Sequence, residues 1–245
     1  MLRQLNTISV YLAVIFIGLA ACVTDIEDPA PPSAPSFVLP DAMRDFPKSG
    51  TRVKPGVNSL VLVANSASDN DVSDIRVFRS RQMTDNFRSV GSVIMGSPSI
   101  TKSFEDESVA PDTSYYYFLK AVDFGRNESP PSDTLRFMVL QPTQLQQFEE
   151  PVSPHPNFQW TIDPPESAAG FFILEIADHN QNPIYHSELL SRISYGGTEL
   201  WTLQEDTLHT GQQYFWRVHA FGLLDSQDRP HAMSLSQWSS FEVRE

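Results

Sequence analysis

Cysteine occurs once in the 245 residues, at Cys22, so no disulfide within the chain can brace its fold. Basic side chains are also few: 17 Lys and Arg against 30 Asp and Glu leave a formal net charge of −13 at pH 7. A field of that sign repels nucleic acid, which is therefore not an expected partner. Long helical patterns are scarce, and 19 prolines interrupt the chain, which favours a β-rich fold with many turns. Catalytic signatures are missing too. There is no glycine-flanked serine elbow and no phosphate-binding glycine loop. The six histidines, His155, His179, His186, His209, His219 and His231, lack metal-ligand spacing.

What is present begins at the amino terminus. Arg3 is the only charged side chain before an apolar stretch from Ile8 to Leu19, and the small residues Ala20 and Ala21 follow. That order is the order of a secretory signal, and the run is too short for a spanning helix and lacks a basic flank. Leu19, Ala20, Ala21 and Cys22 resemble the lipobox of bacterial lipoproteins. The resemblance implies cleavage after residue 21 and a lipid on Cys22, whose acyl chains each contribute about 0.8 kcal/mol per buried methylene. A membrane, reached through that lipid, is then an expected partner. Residues 22–36, acidic and then rich in proline, read as an extended tether. Asp25, Glu27 and Asp28 resemble a sorting signal for surface-exposed lipoproteins, so the expected location is the bacterial cell envelope, at the outer membrane.

Beyond the tether, apolar residues alternate with a period of two in short runs. In the first half these are Leu60 to Ala64, Ile75 to Arg79, Phe87 to Ile94, Ile100 to Phe104, Tyr115 to Val122 and Leu135 to Val139. In the second half they are Phe158 to Ile162, Phe172 to Ile176, Ile184 to Leu189, Leu200 to Leu203, Tyr214 to Phe221 and Trp238 to Val243. Several short strands per hundred residues fit a two-sheet sandwich. Val109, Pro111, Thr113, Tyr115, Tyr117 and Ala121, with Ser129 and Ser132 in the next turn, resemble the signature of fibronectin type III domains. Leu208, Gly211, Tyr214, Trp216, Val218 and Ala220 resemble a second copy, with Trp160 in the place of the family's strand B tryptophan and Ser236, Ser239 and Phe241 in that of its last strand. The resemblance implies an all-β chain of two tandem immunoglobulin-like sandwiches, 37–140 and 141–245. It also implies that Tyr115 and Tyr214 each bond back to the backbone a few residues upstream. The first half lacks the strand B tryptophan, so Tyr117 or Phe78 is expected to fill that core. The short link from Leu140 to Thr143 predicts a semi-rigid pair.

Few residues are left over for chemistry. Asp69, Asp71 and Asp74 could hold calcium through oxygen ligands, but Ser80 stands in the twelfth position where an EF-hand has glutamate, and a solvated turn is the favoured reading. His179 and His186 flank a hairpin and could approach across it. Glu149, Glu150 and Glu166 suggest a glycosidase only as scattered acids. Trp201 and Trp238, with Tyr116, Phe118 and Tyr195, could stack on a sugar ring or a partner, although packing within the protein is the commoner fate of such residues. No cofactor and no enzymatic activity are expected. The favoured function is a binding or spacer module in protein–protein interactions, with carbohydrate binding for an outer-membrane uptake system as the alternative; the envelope protein or glycan partner is not named by the chain.

Overall fold

The computed structural model describes residues 30–43, 49–66, 69, 71–95, 101–149, 151–163, 167–193 and 198–244. The signal segment, Cys22, Ile100, Glu150, Glu166 and Tyr195 lie outside them. Seventeen strands and no α-helix make up the described chain, so no helix there is long and apolar enough to cross a membrane. The first half holds β1 (Ser36–Phe37), β2 (Arg52–Val53), β3 (Leu60–Asn65), β4 (Val72–Ser80), β5 (Arg88–Ile94), β6 (Thr101–Asp106), β7 (Thr113–Asp123) and β8 (Leu135–Val139). The second holds β9 (Gln144–Leu145), β10 (Asn157–Thr161), β11 (Phe171–Ala177), β12 (Pro183–His186), β13 (Leu190–Ser191), β14 (Thr198–Thr202), β15 (Gln213–Leu224), β16 (Pro230–Leu235) and β17 (Ser239–Glu242).

Each half is a sandwich. In the first, β3 pairs with β1, β2 and β6, opposite a sheet in the order β5-β4-β7-β8. The second repeats the plan, with β9, β10 and β14 opposite β12, β11, β15 and the split last strand β16 and β17. Alternation puts Tyr115, Tyr117, Leu119 and Ala121 into one core and Tyr214, Trp216, Val218 and Ala220 into the other. Tyr117 is fully buried and fills the first core, whereas Phe78 points to the opposite face and stacks on Phe118 at 4.7 Å. Its place on β4 decides this: Ile75 and Val77 face inward, so Phe78 cannot.

Serines solve a local problem where the last strand of each sandwich leaves its neighbour. Ser132 Oγ accepts the Leu119 N–H and Ser129 Oγ the Ala121 N–H, both at 2.9 Å. Ser236 Oγ accepts the Val218 N–H at 3.0 Å. Buried amides without a strand partner thereby keep a hydrogen bond.

The sequence pattern did not predict β16, and β16 joins the two halves. It runs antiparallel to β15 and parallel to β8, with Ala232 opposite Met138 and Met233 opposite Val139. The larger sheets thus merge into one of ten strands, ordered β12-β11-β15-β16-β8-β7-β4-β5 with β13 and β17 as side pairs. Across this sheet Val139, Met233 and Phe221 share one face and belong to the first core. Met138 and Ala232 share the other face and pack into the second. The two small sheets therefore cover opposite faces of one long sheet. Leu140 continues the handover: it is fully buried in the second core, and its N–H donates to Met233 O at 2.8 Å. The Met43 N–H to Asp228 O and Gly56 N–H to Leu235 O bonds add further stitches.

Candidate functional site

Because each small sheet covers one half of the long sheet, each half keeps one open face. On the first half that face carries Arg76, Phe78, Tyr116, Phe118 and Lys120, all half-buried. Phe87 lies 4.8 Å from Phe118, closing a three-ring group. Arg76 and Lys120 both bond Glu128, which holds that carboxyl below its usual range, first through the Lys120 hydrogen bond.

On the second half the open face is organised around Glu175, a carboxylate only 1% exposed. The strand register places Arg217 of β15 and His186 of β12 directly opposite it, and His219 sits two residues beyond Arg217. His219 Nε2 lies 2.8 Å and His186 Nε2 3.5 Å from the carboxylate, and the Arg217 Nε–H donates to it. Burial opposes ionisation of Glu175, but the bonds from His186, His219 and Arg217 outweigh it and hold its carboxyl well below the usual carboxylate range. Burial pushes the His219 imidazole down against the pull of Glu175. An acid inside the apolar run Phe171 to Ala177 was the available sequence signal for this group.

Trp238 is half-buried under the Arg217 guanidinium, 4.1 Å from the ring centroid, so one of its faces is occupied by the same cluster. Trp201 packs between Phe158 at 6.1 Å and Tyr185 at 5.8 Å. Both tryptophans thus have covered faces in the molecule as it stands. The acidic trio is dispersed among different partners. Asp69 accepts the Ser33 N–H at 2.6 Å, Asp71 accepts the Phe124 N–H through its carbonyl, and Asp74 bonds Ser73 beside Arg76. Among the described residues no group of three His, Cys, Asp or Glu side chains could hold a metal ion. His179 turns to Asn180 and His186 to Glu175, so this pair is not brought together. Glu149 lies in the link between β9 and β10.

Two further polar sites are structural. Asp106, 2% exposed, accepts two bonds from Arg79 and one from the Tyr117 hydroxyl at 3.0 Å. Burial pushes the Tyr117 hydroxyl above its ordinary value, and the Asp106 charge adds to that. A cavity of about 390 Å³ opens at the junction, lined by Phe37, Leu39, Leu135, Asp225, Arg229 and His231 among others. Burial opposes ionisation of Asp225, but the backbone N–H groups of Arg229 and Gln227 and the Arg229 side chain bring its carboxyl down to about 2.

No family model matches the chain, and no curated protein matches it. Solved structures do resemble it. An Fn3-like protein from Clostridium thermocellum aligns at 20% identity over 44% of this chain and 92% of its own, with a TM-score of 0.33. The FN1–FN3 domains of chicken CNTN1 align at 15% identity over 88% of this chain and 69% of theirs, at 0.38. Chicken interferon gamma receptor alpha chain aligns at 13% identity over 80% and 98%, at 0.33. The molecule's own geometry is more telling. Tyr115 Oη accepts the Ala110 N–H and Tyr214 Oη the His209 N–H, each at 3.0 Å and each five residues upstream. With the strand order, these two tyrosine corners make the chain a tandem pair of immunoglobulin-like β-sandwiches.

Proposed function

We propose that the chain is a non-enzymatic, lipid-anchored protein of a bacterial cell envelope, in which two fused sandwiches act as one rigid spacer and present protein-binding surfaces away from the membrane. The observation that carries this reading is the β8–β16 pair, which makes a single ten-stranded sheet of two modules. Backbone hydrogen bonds and a shared apolar seam set the angle between the modules, as spacing and presentation require and as free movement does not. The residues at Leu19 to Cys22 that resemble a lipobox support the anchor. The expected tether of 22–36 is shorter than its sequence suggests, because Pro32 and Pro35 are buried and the Ser33 N–H donates to Asp69. Residues 22–31 therefore supply a reach of at most about 33 Å, at roughly 3.3 Å per residue. The outer membrane is the location this reading assigns.

Two experiments test it. Cys22→Ser should abolish incorporation of an alkyne-labelled fatty acid and release the protein from carbonate-washed membranes; retention of the variant there would sink the anchor. A photoreactive residue placed in turn at Tyr116, at Phe215, which is half-buried on β15 two residues before Arg217, and at Ile94 should give crosslinks to envelope proteins in intact cells. Crosslinks at none of the three positions would remove the binding role.

A further inference from the structure

The two ends of the ten-stranded sheet differ. At one end β12 has four residues, begins with Pro183, and sits at an irregular register between Ile176 and Ala177 of β11. A short strand, a proline and a bulge are the usual means of blunting an edge. At the other end β5 has seven residues and runs Ser89-Val90-Gly91-Ser92-Val93-Ile94 without a charge or a proline. Its one irregularity, between Val77 and Phe78 of β4, falls toward Arg88, and Gly91 to Ile94 keep regular register with Val77 to Asp74.

The direction of the backbone groups follows from one bond. The Met95 N–H donates to Ser73 O, so by alternation Val93 and Gly91 also face β4, while the N–H and C=O groups of Ser92 and Ile94 point away from the sheet. Their side chains lie on the open face with Arg76 and Asp74, and Ile94 is 79% exposed. On the covered face β5 is seated by Gly91, where a Cβ would stand 2.4 Å from the Phe104 ring. The strand is therefore held in place, and among the described residues nothing pairs with its outer edge. Arg88 at its start is exposed and has no ion pair among the described residues.

We propose that the free edge of β5, from Gly91 to Ile94, docks an extended segment of a partner polypeptide as an added antiparallel strand whose acidic or carboxylate-terminated end meets Arg88. Unpaired backbone donors and acceptors specify an extended polypeptide as the occupant. Antiparallel addition brings the segment's carboxyl-terminal end to Arg88, and the exposed cation favours an anion there. A second copy of this chain is the poorer occupant, because a net charge of −13 opposes self-association and Arg88 would gain no anion from an uncharged strand. The proposal rests on the reading of this chain as a protein-binding module and is independent of the lipid.

The test uses the full-length chain in mild detergent with a ten-residue synthetic peptide of alternating threonine and valine ending in two aspartates. Saturation should slow hydrogen exchange at the Ser92 and Ile94 amides. The same peptide ending in two lysines should bind about tenfold more weakly. Ile94→Lys, a surface change that leaves the fold intact, should abolish the protection, and Arg88→Ala should erase the preference for aspartate. Unchanged exchange at Ser92 and Ile94 under saturation, or binding indifferent to Ile94→Lys, would overturn the proposal. So would sedimentation of the free protein as a dimer that Ile94→Lys dissociates, since a second copy would then hold the edge. Crosslinks in cells from Tyr116 or Phe215 with none from Ile94 would remove this site and leave the binding role standing.

Discussion

At the scale of single residues, the molecule depends on polar groups whose partners are set by register. Each tyrosine corner keeps a ring in the core, and its hydroxyl accepts the backbone N–H five residues upstream. Tyr214→Phe and Tyr115→Phe should each lower stability by about 1 kcal/mol, read as a lower denaturant midpoint at unchanged slope. Glu175 carries more. Its removal in Glu175→Ala leaves Arg217 and His219 without their shared anion, and a loss of about 3–5 kcal/mol is expected from calorimetry. The tyrosines were legible in the sequence because spacing along one strand and the turn before it defines them. The Glu175 group was not, since its members come from β11, β12 and β15 and meet only through pairing between strands.

At the scale of elements, β16 explains both the rigidity and the missed prediction. A strand with one wet face shows alternation of polar and apolar residues; β16 buries Ala232 against one core and Met233 against the other, so its sequence shows no such period. Gly222, opposite Ala232, lets the segment before β11 approach β15 closely, for a Cβ there would stand 2.2 Å from Ala168 O. Met233→Asp puts a charge into the seam between β8 and β15. The unaltered chain should unfold in a single calorimetric transition, and this variant in two, with Ser240→Asp on the exposed side of β17 as a silent control. Two transitions in the unaltered chain would contradict the fused sheet.

At the scale of the whole molecule, acid should destabilise the fused pair through groups in the second module. Below a pH of about 6.5 the unfolded chain takes up a proton on His219 that the folded chain, with its lowered imidazole, does not. Below about 4.3 the same holds for Glu175, whose folded carboxyl is also lowered. In both cases the unfolded state binds more protons, so stability is greatest at neutral pH and falls as pH drops through these windows. Urea midpoints from pH 7.5 to 4 should fall less steeply in His219→Phe than in the unaltered chain. A parallel fall in both would remove His219 from the effect.

The sequence alone determined the all-β class, two sandwiches in tandem, both tyrosine corners and most strands, because side-chain alternation and turn residues act over neighbouring positions. It also carried four consecutive residues, Leu19 to Cys22, that resemble a lipobox and on which the proposed anchor rests. Tertiary structure alone decided that the two modules share one sheet, that Trp201 and Trp238 have covered faces, and that β5 has no partner on its outer edge among the described residues. Those facts depend on which strand lies beside which. Such pairing comes from backbone hydrogen bonds, which every residue but proline can make and which therefore leave little trace in the order of side chains.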